Sequence, residues 1–231
     1  MVENTLPPIS RCPKLLHVFS MFTNNVTAST IALAGLATVT SLSNIYRLPH
    51  VDELYTILAA RGYNATGLPV IADGIYTRAT IYTWLTAKSL QVFGDTLIAA
   101  RLPALISGVI LTISVFLILR SQVGTLAAWI SALFVALSPL TVGMFQFARF
   151  YALHALVFWI AACMVYFIIA YNWGLYYRIL LAMWAMFLFF IALRLQDLTI
   201  VGTIALCAWV ALFILDTYFL TLRAHIYLLL T

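Results

Sequence analysis

Long apolar stretches separated by short polar connections make up most of this chain. The apolar stretches cover about 26–46, 98–119, 125–144, 151–171, 175–193 and 198–220. Each has about 20 residues, enough for an α-helix to cross the roughly 30 Å hydrocarbon core of a membrane. Lipid satisfies no backbone hydrogen bonds, so such stretches must be helical unless they close a β-barrel, and none alternates with the period of a barrel strand. The pattern predicts an all-α, multi-pass membrane protein with about six transmembrane helices.

Residues 47–97 form a long interruption in which polar and apolar positions are mixed. The apolar residues of Asp52–Arg61 recur at helical spacing, which predicts an amphipathic helix on the membrane interface, ended by Gly62. A second interfacial helix is predicted over about Thr77–Phe93, and Asp95 or Thr96 is expected to cap the helix after it. This interruption is the predicted first extracytoplasmic loop.

The domain organisation follows from this pattern. Residues 1–25 are a mixed N-terminal segment, and residues 26–231 are predicted to be one transmembrane module. Six spans place both termini on one side of the membrane, and we expect that side to be the cytoplasm. The distribution of Lys and Arg does not decide the orientation, because more of them fall on the predicted loop side than on the terminal side.

Composition excludes an ordinary soluble domain. The chain is 65% apolar and 8% charged, with a mean hydropathy of +1.06, whereas average globular chains carry about 25% charged residues. The net charge of +5 favours either anionic membrane lipid or a phosphate-bearing substrate. Nucleic acid is not expected, because no basic run interleaved with aromatic residues occurs in a soluble segment.

Acidic residues are concentrated in the predicted loop. Four of the seven acidic residues lie there, namely Asp52, Glu53, Asp73 and Asp95. Carboxylates next to a membrane are costly unless they are solvated or functional. Their concentration on one side, together with several basic residues, indicates a site rather than an anchoring belt.

Several short motifs resemble the GT-C glycosyltransferases, and specifically the branch with protein O-mannosyltransferases and bacterial lipid A aminoarabinose transferases. In chain order they are Val51–Glu53, Tyr76–Arg78 leading into Tyr82–Leu85, Val92–Gly94, Ala100–Pro103, Ser138–Pro139 and Ala148–Ala152. Each motif is weak by itself, but the ordered set is fairly specific. It covers the N-terminal half of such a fold.

The resemblance implies a sugar donor on a polyprenyl phosphate, an acceptor on the non-cytoplasmic side and no cofactor. It also implies that Asp52 is the general base that takes the proton of the acceptor, which suits a carboxylate within hydrogen-bond reach. Arg78 matches a basic phosphate-binding residue of the family, and its planar fork suits phosphate oxygens. The complete set of candidate substrate-binding residues is Glu53, Arg78, Arg101, Arg149 and Tyr151.

The chain also departs from the family pattern. Ala79 and Thr80 stand where prolines often follow the basic residue, and family members usually have further spans and a soluble C-terminal domain. We therefore expect a partner membrane protein or a larger complex to complete the site. The alternative is a non-catalytic structural subunit derived from such an enzyme. A transporter is a weaker alternative, because no span contains paired Gly or Pro near its midpoint.

Individual residues also have structural alternatives. Asp52 is a suitable N-cap for the first interfacial helix. Glu53 is an expected ion-pair partner for Arg61 or Arg101. Arg78 can extend its side chain from an interfacial helix to the water layer without binding any ligand.

Overall fold

The computed structural model describes residues 25–72, 74–171 and 174–195. These residues form eight α-helices and one two-stranded antiparallel hairpin. The helices are α1 (Val26–Leu42), α2 (Val51–Thr66), α3 (Thr80–Phe93), α4 (Leu97–Gln122), α5 (Thr125–Leu137), α6 (Pro139–Gln146), α7 (Tyr151–Ala170) and α8 (Leu175–Leu195). The hairpin pairs β1 (Val70–Ile71) with β2 (Gly74–Ile75).

The helices have the lengths and composition of a membrane protein. Three of them, α4, α7 and α8, are long and apolar enough to cross a membrane, and the pair α5 and α6 provides a fourth span if the two are counted together. Helix α1 is apolar but has only 17 residues. The predicted all-α membrane class is confirmed, whereas the number six is not established. The predicted span 198–220 and residues 1–24 lie outside the described residues.

The predicted span 125–144 consists of two helices separated by a bend rather than of one continuous helix. Helices α5 and α6 meet at an angle of 56°. Pro139 is the first residue of α6, and Ser138 before it is extended, with φ −61° and ψ 127°. Proline has no N–H to continue a helical ladder and pushes the preceding residue out of the helical region. The bend follows from this one residue.

Helix α6 packs closely against α4. A Cβ on Gly108 of α4 would lie 2.3 Å from Cγ of Phe145 in α6, so only glycine lets the Phe145 ring reach this position. Phe145 is 1% exposed. Helix α4 also contacts α1, α3, α5 and α7, which makes it the central helix. The contacts of α4 therefore set the position of α6 and of the link from α6 to α7.

Both helices predicted in the loop exist, with different limits. Helix α2 runs past Gly62 and ends before Gly67, whose φ of 78° is left-handed, so the predicted end at Gly62 was wrong. Gly62 instead permits a close approach, because a Cβ there would lie 2.1 Å from the carbonyl oxygen of Val70. Helix α3 begins at Thr80 rather than Thr77. Thr96 caps α4 as predicted, accepting from the Ala99 N–H at 3.2 Å.

The N-cap of α2 is His50 rather than Asp52, so the capping alternative for Asp52 was wrong. His50 Nδ1 accepts from the Asp52 N–H at 3.3 Å, and Glu53 Oε2 accepts from the His50 N–H at 3.0 Å. This reciprocal arrangement is a capping box. It fixes Asp52 and Glu53 in the first turn of α2.

Candidate functional site

A fully buried ion pair links the loop helices to the transmembrane helices. The side chains of Glu53 and Arg101 are 0% exposed. Arg101 donates to both carboxylate oxygens, from Nε at 3.0 Å and from Nη2 at 2.8 Å. Its third nitrogen donates to the carbonyl of Ile45, after α1. The Ala148 N–H donates to Glu53 Oε1 at 2.6 Å. One carboxylate therefore connects α2, α4 and the link between α6 and α7.

These hydrogen bonds set the ionisation of Glu53. Burial acts to raise its pKa, but the bonds from Arg101, Ala148 and His50 and the charge of Arg101 outweigh burial and hold the pKa below its ordinary value. Glu53 is therefore a carboxylate whose acceptor positions are already used. Of the two expected partners of Glu53, Arg101 is confirmed, whereas Arg61 pairs with Asp95. Contact of either residue with a substrate stays a prediction.

A second carboxylate–arginine pair lies directly beside the first, and its carboxylate is open to solvent. The Asp52 side chain is 53% exposed, and its Oδ2 lies 3.6 Å from Nη2 of Arg149. Nη1 of Arg149 donates to the Asp52 carbonyl and to the Tyr76 hydroxyl, both at 3.1 Å. His50 Nδ1 is 3.9 Å from the same Asp52 oxygen. The structure thus brings together Asp52 and Arg149, which are 97 residues apart.

Arg149 is largely enclosed but not saturated. It is 8% exposed, and its guanidinium carbon lies 5.7 Å from the Phe150 ring centre and 5.8 Å from the Tyr151 ring centre. Burial acts to lower its pKa, but Tyr151, Tyr76 and the Asp52 carboxylate outweigh this and raise the pKa, so the side chain stays cationic. Nε has no hydrogen-bond partner among the described residues.

The other candidates are placed differently. Tyr151 is the first residue of α7 and lies beside Arg149. Arg78 is exposed, and in the described part of the chain no hydrogen bond or ion pair joins it to Asp52 or Arg149. Tyr76 was missed as a site residue although it lies within the Tyr76–Arg78 motif. His50 was missed too, and its position just before Val51–Glu53 was the available signal.

Two open cavities are each lined by a tyrosine that contacts Arg149. The larger, of about 570 Å³, lies between the hairpin, α3 and α8, and Tyr76 is one of its lining residues. The smaller, of about 310 Å³, runs along α6 and is lined by Pro139, Leu140, Gly143, Met144, Phe147 and Tyr151. Within the described ranges, no cluster of His, Cys, Asp or Glu could hold a metal ion. The chemistry available is a carboxylate, a fixed cation and tyrosine hydroxyls.

The fold and this site define an all-α integral membrane protein that holds a carboxylate and an arginine together outside its long helices. The family model of dolichyl-phosphate-mannose-protein mannosyltransferase matches residues 77–189. The match confirms the resemblance to the GT-C glycosyltransferases over these residues, which are just under half of the chain. The matched region includes Arg78, Arg101, Arg149 and Tyr151, whereas Asp52 and Glu53 precede it. No curated protein and no solved structure matches the chain significantly.

Proposed function

We propose that this chain supplies the general base and a phosphate-binding cation of a GT-C glycosyltransferase site. The family match supports a polyprenyl-phosphate sugar as donor. The observation that carries the proposal is the pairing of Asp52 with Arg149 at 3.6 Å. Transfer from a sugar phosphate requires a proton acceptor and a positive charge near one another, and this pair provides both.

In the proposed reaction, a hydroxyl oxygen of the acceptor attacks the anomeric carbon of the donor sugar. Its proton passes to Asp52, and the bond from the anomeric carbon to the phosphate oxygen breaks with inversion. The leaving phosphate keeps the electron pair, and Arg149 stabilises its negative charge. Asp52 suits the role because its side chain is half exposed, so an acceptor can reach it. Arg149 suits its role because its raised pKa keeps it charged.

The remaining candidates have supporting roles in this proposal. Tyr151 positions Arg149 through its ring, and Arg78 is an additional cation for the donor. Arg78 is exposed and has no acidic partner in the described part of the chain, so it is available to an anion. Glu53 and Arg101 act as positioning residues, because their network fixes the backbone on either side of the Asp52–Arg149 pair.

A partner membrane protein is part of the proposal. Much of α8 faces outward, with Tyr176 73% and Met183 60% exposed, and this face must be covered by lipid or by another helix. We expect little or no transfer by the isolated chain, because donor and acceptor must both be held in register and a misplacement of about 1 Å can cost a factor of about a hundred in rate. The acceptor is proposed to approach from the non-cytoplasmic side, with both termini in the cytoplasm.

The test compares Asp52→Asn with Asp95→Asn in membranes of cells that carry the tagged chain in place of the wild type. Asp95 is a matched control, because it is 60% exposed and pairs with Arg61 at 2.9 Å on the same side. The measurement is transfer of labelled sugar from a polyprenyl phosphate into protein and lipid fractions. We expect Asp52→Asn to lower transfer by about 10²–10⁴-fold and Asp95→Asn to leave it near the wild-type rate.

Assembly is followed on the same samples by native electrophoresis of the detergent-solubilised complex. Wild-type transfer by Asp52→Asn with intact assembly would contradict the base role and favour the structural-subunit alternative. Strong transfer by the purified, isolated chain would instead show that no partner is needed.

A further inference from the structure

We infer that His50 is a positioning residue of the Asp52–Arg149 pair, and that its imidazole must be neutral for Asp52 to act as the base. The inference rests on the proposed function, because it concerns how that same base is held and regulated. It gives a role to His50, which lies outside the motifs that resemble the family. It also predicts that transfer is switched off as the pH falls through the range in which histidine gains a proton.

The position of His50 at the start of α2 requires a ring nitrogen that accepts a hydrogen bond. His50 Nδ1 accepts from the Asp52 N–H at 3.3 Å, and the His50 N–H donates to Glu53 Oε2 at 3.0 Å. A neutral imidazole has one ring nitrogen that can accept, whereas both nitrogens carry protons in the charged form. The bond from the Asp52 N–H therefore forms only while His50 is neutral with its proton on Nε2.

The same ring nitrogen is also close to the proposed base. His50 Nδ1 lies 3.9 Å from Oδ2 of Asp52, and this oxygen is 3.6 Å from Nη2 of Arg149. While the imidazole is neutral, Asp52 has Arg149 as its one cationic partner among the described residues. A proton on Nδ1 would create a second ion pair on the same oxygen. One proton thus changes both a backbone hydrogen bond and the charge beside the carboxylate.

Protonation of His50 weakens Asp52 as a base in two ways. A second cation stabilises the carboxylate relative to the carboxylic acid, so the carboxylate takes a proton from the acceptor less readily. A proton on Nδ1 also removes the cap that holds the Asp52 N–H at the start of α2. Arg149 Nη1 binds the carbonyl of Asp52 at 3.1 Å, so a shift of this backbone also disturbs the Asp52–Arg149 pair.

The surroundings of His50 allow it to gain and lose a proton. Its side chain is 64% exposed, so water reaches the ring, whose other contact is with the Phe147 ring at 6.3 Å between centres. The charged or titratable groups around it in the described part of the chain are Asp52 and Glu53 on α2, Arg47 beside Phe147, Arg149 on the link from α6 to α7, and Tyr76, which binds Arg149. The two carboxylates and two guanidinium groups carry no net charge. Histidine side chains change charge between about pH 5 and 8, so we expect the switch in that range.

The test compares transfer at about pH 5.5 with transfer at about pH 8, in membranes that carry the assembled complex. Mild detergent makes the membranes permeable, so that both faces meet the buffer. The assay measures labelled sugar passed from a polyprenyl phosphate to protein and lipid fractions, and the ratio of the two rates is taken for each protein. A group that must be unprotonated and titrates near pH 6.5 is about one-tenth unprotonated at pH 5.5. We therefore expect a wild-type ratio of about 0.1.

Two substitutions fix His50 in each of its two charge states. Asparagine is a favoured N-cap without charge, so His50→Asn keeps an acceptor but does not titrate, and its ratio should rise to about 1. Lysine is cationic at both pH values and accepts no hydrogen bond, so His50→Lys should transfer at pH 8 about as slowly as the wild type does at pH 5.5. A wild-type ratio near 1, or a His50→Asn ratio as low as that of the wild type, would overturn the inference.

His154→Asn is the matched control, because it removes a different histidine of the same chain. His154 lies in α7, with Nδ1 3.0 Å from the Ala192 carbonyl oxygen, and its variant should keep the wild-type ratio. An equal rise in the ratio of His154→Asn and His50→Asn would overturn the assignment to His50. Native electrophoresis at both pH values follows assembly. Dissociation of the wild-type complex at pH 5.5 would also overturn the inference, because transfer would then fall with the structure.

The Asp52→Asn assay separates this inference from the proposed function. If Asp52→Asn loses transfer while the wild-type ratio stays near 1, the base role stands and the inference about His50 fails. If Asp52→Asn transfers at the wild-type rate, the base role itself fails, and the role of His50 fails with it. Loss of transfer in Asp52→Asn together with a low ratio that His50→Asn restores would support both.

Discussion

Asp52 and Glu53 are consecutive carboxylates with opposite environments. Glu53 is completely buried and accepts four hydrogen bonds. Asp52 is half exposed, and its carboxylate has one ion-pair contact, with Arg149 at 3.6 Å. Successive residues of an α-helix point about 100° apart, so the first turn of α2 directs one carboxylate into the protein and the other out of it. The difference separates a carboxylate that is used up in holding the fold from one that solvent can reach.

Their arginine partners differ in the same way. Arg101 is 0% exposed, and each of its three nitrogens donates to Glu53 or to the Ile45 carbonyl. Arg149 has an Nε without a partner among the described residues. The two pairs are linked, because the Ala148 N–H binds Glu53 and the next residue is Arg149. The buried pair therefore positions the exposed pair.

The largest expected effect comes from Glu53→Gln. Removing the charge from one partner of a buried ion pair leaves Arg101 without compensation, which costs about 3–5 kcal/mol of stability. Thermal unfolding in a fixed detergent measures this loss. The exposed pair Arg61–Asp95 supplies the control, since Arg61→Gln should cost about 0–1 kcal/mol. Similar losses in both variants would remove the distinction between the buried and the exposed carboxylate.

Acidification should reproduce part of the loss of stability that is expected for Glu53→Gln. The pKa of Glu53 is lower in the folded protein than its ordinary value of 4.5. Its carboxylate therefore stabilises the fold fully above pH 4.5, and this contribution is lost as the pH falls through the lowered value. The melting temperature of the wild type should fall over this range, and Glu53→Gln should lack that component of the fall. Identical pH profiles would contradict the assignment of acid sensitivity to Glu53.

A smaller effect is expected from Gly62→Ala. The added Cβ would lie 2.1 Å from the Val70 carbonyl oxygen, so the hairpin must move, and overpacking of this kind costs about 1–3 kcal/mol. Tyr76 follows the hairpin and accepts from Arg149, so transfer by the complex should fall as well. Gly35→Ala is the control, because its site is open. Unchanged stability and transfer in Gly62→Ala would show that the hairpin does not support the Arg149 site.

The sequence predicted features that depend on local pattern and composition. The all-α membrane class, the two loop helices, the Thr96 cap and a Glu53–Arg101 pairing all followed from spacing and residue type. The GT-C resemblance followed from ordered motifs. Four features were missed, namely the bend at Pro139, the role of Gly62, the His50 cap and the part played by Tyr76.

The physical reason why each of these features was missed is different. Gly62 and Tyr76 depend on contacts made after the chain folds back, such as Tyr76 with Arg149, 73 residues later. The bend was missed because composition made 125–144 look like one span, although Pro139 alone carried the signal. Capping was the structural alternative for Asp52 because aspartate is favoured at N-caps, but His50 occupies that position. The catalytic role of Asp52 stays a prediction, since the contacts among the described residues do not distinguish a base from an exposed carboxylate.

The smallest effect on stability is expected from Asp52→Asn. This substitution removes the same charge as Glu53→Gln, one residue away, yet the carboxylate is 53% exposed and lies 3.6 Å from Arg149. Exposed ion pairs contribute about 0–1 kcal/mol, and Arg149 keeps its bonds to the Asp52 carbonyl and to Tyr76. Thermal unfolding of Asp52→Asn should therefore match that of Asp95→Asn, while its transfer activity is lost. A loss of stability as large as that of Glu53→Gln would make Asp52 a structural residue, because activity would then disappear with the fold rather than with the base.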